Sequence, residues 1–361
     1  MPEVRLVGLG KTYGKVVAVD GVDLVIRDKE YVTILGPSGC GKTTLIRMIA
    51  GIIEPSHGKV LLRGKDMRGV PIEDRGIGYV FQNIALFPNL NAAQNVAYSS
   101  RAKGADKVVQ EKVAKEHLQL VKLLDRMLMF PDEMSGGEQQ KVALARALAS
   151  GSDLLLLDEP LSALDARVRV DLRYELRRLA KALGLTVVHV THDQEEAMTV
   201  SDRIVLMRAG SLVEIGTPED LYSRPKHLFT ANFIGESNFL EGWVRERADD
   251  LTRVEIREGS TVEVMSMDFT IGDPVVISVR PEFVYPFTTG LRSNVTSSIY
   301  MGTYWRIKAK TESDDEMNFD VPITDGHLYQ IGQEIYLMVN KRAAVLFPRP
   351  REGVEEAISL E

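Results

Sequence analysis

Residues 31–51 read YVTILGPSGCGKTTLIRMIAG: an apolar, β-branched run, a glycine-rich turn, and a run with helical apolar spacing. Gly36, Gly41, Lys42 and Thr43 fit the pattern G-x-x-x-x-G-K-[ST]. A strand that ends in such a loop and passes directly into a helix aims backbone N–H groups and the positive end of a helix dipole at one point, which makes a phosphate cradle. In this pattern Lys42 reaches the β- and γ-phosphates of a nucleotide and Thr43 ligates magnesium. Gly36, Pro37, Ser38, Gly39, Cys40, Gly41, Lys42, Thr43 and Thr44 are therefore the expected nucleotide-binding residues. Nothing beside Cys40 calls for a thiolate, so it reads as a loop residue and not as a nucleophile.

Working outward, DLLLLD (153–158) and TVVHVT (186–191) are the other clearest buried strands, and strand-like runs alternate with helical periods from Val4 to about Arg208. That alternation predicts an α/β domain with a largely parallel sheet. Asp158 ends a buried strand, where ligands of open α/β sheets bind, and suits a magnesium ion. Glu159 follows and suits a general base. Gln82, after GIGYVF, and His192, after VVHVT, stand at the ends of further strands, where a neutral amide touches metal and attacking water and an imidazole touches the γ-phosphate. Asp165, in SALD, is close enough to Glu159 in sequence to shape the same pocket. His189, inside its strand, reads as structural.

The stretch EMSGGEQQKVALARA (133–147) sets a serine and two glycines ahead of an alanine-rich helical run, a second anion site in one chain. Between the last two strands, ARVRVDLRYELRRLAKAL places Val168, Leu172, Leu176, Leu179 and Leu183 on one helical stripe, with its arginines as a solvated face. A second amphipathic helix is expected around 107–124, with Val109, Val113, Leu120 and Leu124 inward. After about Ser237 short alternating runs (LTRVEIRE, PVVISVRPEFVY, YWRIKAKT, EIYLMVN) predict a small β-barrel. Residues 209–236 link the two parts, with a short helix opened by Thr217 and Pro218, and the chain from about Pro350 reads as a frayed acidic tail.

At 361 residues two or more domains are expected. One cysteine permits no internal disulfide, and a net charge of −7 argues against nucleic acid as a partner. No apolar run is long enough to span a bilayer and no leader is visible, so membrane association is expected through a partner protein.

With these motifs aligned, the chain resembles the ATP-binding-cassette ATPases, in particular the stand-alone subunits of sugar, polyamine and iron importers. The resemblance implies a P-loop NTPase cassette over 1–235 with a helical subdomain at about 88–150, followed by an all-β regulatory domain of the TOBE or OB type over 236–361. It implies ATP and Mg²⁺ as cofactors, with Thr43, Gln82 and Asp158 at the metal and Glu159, His192 and Gln82 catalytic. Tyr13 matches the aromatic that stacks on adenine, and Asp165 the D-loop. MSGGE resembles the family signature LSGGQ, so Ser135, Gly136, Gly137 and Glu138 are expected against the ATP of a second subunit. That explains the second anion site. Glu138 stands where glutamine is commoner and adds a negative charge. NIALFPNL (83–90) resembles the segment that docks a membrane permease, and the Arg-Pro-Glu of ISVRPEFV a structural turn of the β-domain. A homodimer at the cytoplasmic face of the membrane, bound to permease subunits and indirectly to a solute-binding protein, is implied. Soluble work driven by ATP-dependent dimerisation is the alternative, though such chains usually carry two cassettes or coiled-coil insertions.

Overall fold

The computed structural model describes residues 4–256, 259–266, 268–326 and 329–360. The last two residues of the run LTRVEIRE and the terminal Glu361 lie outside the described residues. The chain divides into two compact units, Met1–Pro218 and Glu219–Leu360.

The first unit contains, in chain order, β1 (Val4–Tyr13), β2 (Val16–Ile26), β3 (Tyr31–Leu35), α1 (Lys42–Ala50), β4 (His57–Leu62), β5 (Lys65–Asp66), β6 (Ile77–Val80), α2 (Ala92–Val96), α3 (Tyr98–Ala102), α4 (Lys107–Leu120), α5 (Gly136–Leu148), β7 (Leu154–Asp158), α6 (Ala166–Leu183), β8 (Thr186–Thr191), α7 (Gln194–Val200), β9 (Arg203–Arg208) and β10 (Ser211–Gly216). The central sheet has the order β10-β9-β3-β8-β7-β6, parallel except for β10. A smaller antiparallel sheet has the order β2-β1-β4-β5.

Every residue of β3, β7 and β8 is buried, which explains their unbroken apolar sequences. Alternate residues serve opposite cores. Leu154 and Leu156 pack with α1 and the antiparallel sheet, through Leu45, Ile46, Val4 and Leu6. Leu155 and Leu157 pack with α4, α5 and α6, through Leu118, Val142, Leu172 and Leu176. The sheet is thus fixed from both faces, and the loops at its carboxyl ends are held on a rigid base.

The helix around 107–124 departs from expectation. It ends at Leu120, and its core side is carried by Ala114 and Leu118, whereas Val109 and Leu124 are 44% and 40% exposed. The buried stripe continues to Val121, four plus three residues along, which leaves Val109 on the outer side of the first turn. Lys122, at φ 59°, then turns the chain, and Leu124 begins a separate 3₁₀ turn.

The second unit opens with α8 (Pro218–Ser223) and α9 (Leu228–Phe233), followed by β11 (Asn238–Ala248), β12 (Leu251–Ile256), β13 (Thr261–Met265), β14 (Pro274–Val279), β15 (Val284–Phe287), β16 (Leu291–Tyr300), β17 (Tyr304–Thr311), β18 (Glu316–Pro322), β19 (Glu334–Val339), β20 (Val345–Pro348) and α10 (Val354–Ile358). Two antiparallel sheets, β13-β12-β11-β14-β20 and β15-β19-β16-β17-β18, share one core that includes Leu240, Val254, Ile277, Val295, Ile307 and Phe319. Arg280 of the Arg-Pro-Glu turn is buried. It donates to the carbonyls of Tyr222, Ala231 and Glu236, at 3.0, 2.6 and 3.0 Å, and so pins α8 and α9 to the β-domain. The end of the chain is not a frayed tail. Val354, Ala357 and Ile358 form an i, i+3, i+4 stripe hidden among acidic residues, and it packs with Leu228, Ala231 and Phe347.

Candidate functional site

The loop between β3 and α1 keeps its shape because two positions admit no side chain. A Cβ on Gly41, which sits at φ 101°, would fall 2.2 Å from the carbonyl oxygen of Ala18, and one on Gly36 would fall 2.3 Å from that of Met207. As the cap of α1, Gly41 offers no side-chain acceptor, and no acid lies in the first helical turn. The N–H groups there are left for an anion. Lys42 is 4% exposed and curls back over the loop, donating to the carbonyls of Gly36 and Pro37 at 2.8 and 2.7 Å. Burial pushes the Cys40 thiol up, against the pull of Lys42, so it stays protonated near neutral pH.

Asp158 ends β7 fully buried. Its Oδ1 accepts from Thr43 Oγ1 at 3.3 Å, its Oδ2 accepts from Tyr79 OH at 3.0 Å, and Arg47 Nε lies 3.5 Å from Oδ2. Burial raises the pKa of this carboxyl, and the hydrogen bond from Tyr79, the charge of Arg47 and the Thr43 hydroxyl offset only part of the rise. A carboxylate that is costly to ionise alone is suited to a cation, and a hydroxyl–carboxylate pair beside a phosphate site is a donor set that magnesium accepts alongside phosphate oxygens. Tyr79 and Arg47 escaped the sequence reading. Arg47 was findable, because it lies one turn beyond Thr43 on the same face of α1.

Glu159 adopts φ 46°, an uncommon left-handed conformation for a side chain of this size, and its N–H is held by Val190 O at 2.9 Å. Its Oε2 accepts from Gln82 Nε2 at 3.0 Å and lies 3.2 Å from His192 Nδ1. Gln82, Glu159 and His192 therefore meet at one oxygen atom, and the Gln82 amide nitrogen is turned to that oxygen. Tyr13, 47% exposed, ends β1 in the same hairpin whose Ala18 lies against Gly41, and Lys11 Nζ is 5.2 Å from its ring centroid. His189 is wholly buried, with Tyr31 OH 3.0 Å from its Nδ1.

Among the described residues, no hydrogen bond or ion pair joins Ser135–Glu138 to the loop 36–44. Ser135 caps α5, and Glu138 turns back on it in a capping box. The Glu138 Oε2 accepts from both the backbone N–H and the hydroxyl of Ser135, at 2.9 and 2.8 Å. These bonds hold the Glu138 carboxyl below its usual range. Met134 is buried in the core. Asp165 caps α6, accepting from Val168 N at 3.0 Å.

Arg167 and Arg178 of α6 are exposed as expected, but its other three arginines are not a solvated face. Arg169 and Arg173 both bind Asp193, and Arg177 and Lys181 bind Asp202. Acidic residues of the 193–202 stretch, distant in sequence, neutralise them. In the segment 83–90, the Phe87 ring lies 4.3 Å from that of Tyr98, tilted by 31°, with Arg146 over it, and Asn95 bonds both the N–H and the carbonyl of Phe87. The loop is thus pinned to α2, α3 and α5 while the Phe87 ring stays partly exposed.

Residues 19–162 match the ABC transporter family and residues 277–347 the TOBE domain family. The chain is 41% identical over 344 residues to the spermidine/putrescine import ATP-binding protein PotA of Nostoc sp., covering 92% of this chain and 90% of the relative. It is 40% identical over 340 residues to the protein of that name in Bacteroides fragilis, covering 93% and 72%. Among solved structures it is similar to a dimeric ATP-binding cassette in a post-hydrolysis state bound to ADP and Pi, with 33% identity and a TM-score of 0.55, over 60% of this chain and 98% of that one.

Proposed function

The chain belongs to the ATP-binding-cassette transporter family, among the import ATPases that carry a C-terminal TOBE domain, and on that premise we propose how its residues divide the work. It is the ATP-hydrolysing subunit of an importer. The loop 36–44 and Lys42 bind the phosphates, and the exposed Tyr13 ring stacks on adenine. Thr43, Asp158 and Gln82 would hold Mg²⁺, which when bound would neutralise charge on the β- and γ-phosphates. Glu159 Oε2 takes the proton of the attacking water as the new bond to the γ-phosphorus forms and the bond to the ADP oxygen breaks. Gln82 orients that water and His192 the γ-phosphate.

The observation that carries this reading is the meeting of Gln82 and His192 at one oxygen of Glu159, one residue beyond the carboxylate that faces Thr43. A general base needs both an acceptor oxygen and neighbours that fix its aim, and this oxygen has them. Single-turnover hydrolysis by Glu159→Gln is the test, and wild-type turnover in that variant would remove the base.

Ser135, Gly136, Gly137 and Glu138, which no described hydrogen bond or ion pair joins to the loop 36–44, we assign to the nucleotide of a second copy, and Asp165 to the D-loop that shapes the pocket of Glu159. The dimeric cassettes to which the chain is similar support a homodimer. The finer division into a cassette over 1–235 and a regulatory β-domain over 236–361 belongs to the same proposal, with α8 and α9 counted with the cassette by sequence although they pack in the second compact unit. So do the permease partners docked near 83–90, the solute-binding protein they serve, and placement at the cytoplasmic face of the membrane. No described helix is long and apolar enough to cross a bilayer. The relatives' names point to a polyamine cargo, which uptake of labelled spermidine by cells with and without the chain would test.

A further inference from the structure

We infer that Asp193 is a positioning residue for His192, clamped onto α6 by Arg169 and Arg173, and that Arg169 joins this clamp to the loop following Glu159. The inference rests on the reading of His192 as a γ-phosphate contact. Only His192 and Asp193 separate the end of β8 from the start of α7. The His192 side chain is 52% exposed, and among the described residues its one polar side-chain contact is Nδ1 to Glu159 Oε2 at 3.2 Å. Packing therefore does little to fix the imidazole, and its aim depends on the backbone that carries it.

That backbone is tied from two sides. From within the fold, Asp193 N–H donates to Thr191 Oγ1 at 3.0 Å, and Thr191 Oγ1 donates to Glu196 Oε2 at 2.6 Å. Glu196 is buried, with His189 Nε2 3.3 Å from its other oxygen. From α6, Arg173 Nη2 donates to Asp193 Oδ2 at 2.7 Å and Arg169 Nη1 to the same oxygen at 3.3 Å. Capping α7 needs only Oδ1, which accepts from Glu196 N at 2.9 Å. The second oxygen and two guanidiniums exceed what a two-turn helix requires. Arg173 is only 7% exposed, and such burial is costly without a paired charge.

Arg169 has one more bond. Its Nη2 donates to Leu164 O at 3.0 Å, in the loop whose Ser162 hydroxyl donates to Glu159 O, also at 3.0 Å. The loop after Glu159 thus anchors the guanidinium that holds the flank of His192. Releasing it would let the imidazole drift from the γ-phosphate while the phosphate loop, on the other side of β8, keeps its grip on ATP.

The test is a double-mutant cycle in the full chain, reading kcat, KM for ATP, ATP affinity and Tm. Arg169→Ala should lower kcat about 10- to 100-fold, the usual cost of misplacing a reacting group. KM and ATP affinity should stay close to wild type. In a His192→Ala background the same substitution should cost little more, because its effect acts through the missing imidazole. A full additional loss in that background, or wild-type kcat in folded Arg169→Ala, would overturn the inference. Wild-type kcat in His192→Ala would overturn the γ-phosphate reading and this inference with it, a result distinct from additivity. Should Arg169→Ala fail to fold, Asp193→Asn preserves the cap and enters the same cycle with the same two outcomes.

Discussion

Nδ1 of His192 lies 3.2 Å from Oε2 of Glu159. The two residues leave the carboxyl ends of β8 and β7, adjacent strands of the parallel sheet, so the contact is set by strand register and not by a flexible loop. Strand register also explains why Asp158 faces α1. It is paired with Val190 in β8 and, by strand alternation, shares the face of Leu154 and Leu156, so its carboxylate lies on the α1 side, where Thr43 meets it. A metal-side acid and a base-side acid come from consecutive residues because the backbone turns at Glu159, with φ 46°.

Glu159→Gln should retain ATP and lose turnover by about 10²- to 10⁴-fold, the usual worth of a general base. The amide is isosteric and can still meet Gln82 and His192, so binding and thermal stability should change little. Steady-state hydrolysis and ATP retention on one preparation check this.

Glu138→Gln should raise the fraction of dimer formed with Mg-ATP. In the structure the carboxylate occupies both donors of Ser135, the groups assigned to a partner's nucleotide, and glutamine caps the helix without the charge. The folded-state pKa of Glu138 is depressed, so its capping contribution is present above the unfolded value of about 4.3 and is lost as pH falls through the depressed value. The gain from Glu138→Gln should accordingly be full at pH 7 and shrink as pH falls through the depressed value. Sedimentation over a falling pH series measures it, and an unchanged dimer fraction at pH 7 would show that the carboxylate does not compete.

Cutting after Pro218 should yield a folded, ATP-binding unit, whereas cutting near Ser237 should yield a poorly soluble one. The second cut keeps α8 and α9 but removes Arg280, Val276 and Phe347, which bond or cover them. In the intact chain Arg280→Ala should destabilise the second unit by about 2–4 kcal/mol, since it leaves buried carbonyls without donors. Thermal denaturation of the three proteins, read with nucleotide binding, decides both points.

Much of this was legible in the residues. GPSGCGKTT needs only local geometry to become a phosphate cradle, and LLLL, YVTIL and TVVHV need only burial on both faces to become central strands. The family resemblance also brought Gln82, Glu159 and His192 together. What escaped were contacts that require the third dimension. Tyr79 meets Asp158 because β6 pairs with β7. The α6 arginines meet Asp193 and Asp202 because α7 folds back against that helix, so a periodicity that shows which residues are not apolar could not show that they are paired. The chain's end packs because three apolar residues align among four glutamates and a serine, a signal too short to stand out.

The central claim is that the MSGGE segment completes the ATP site of a second copy. One chain would carry Lys42→Ala with an intact signature, and a differently tagged chain Ser135→Arg with an intact phosphate loop, each also bearing Glu159→Gln so that bound ATP persists. Neither homodimer has a complete site. The mixed dimer has one, where the intact loop of the second chain meets the intact signature of the first. ATP occluded per purified mixed dimer should approach one, with little on either homodimer, and well-folded mixed dimers that trap none would contradict the account.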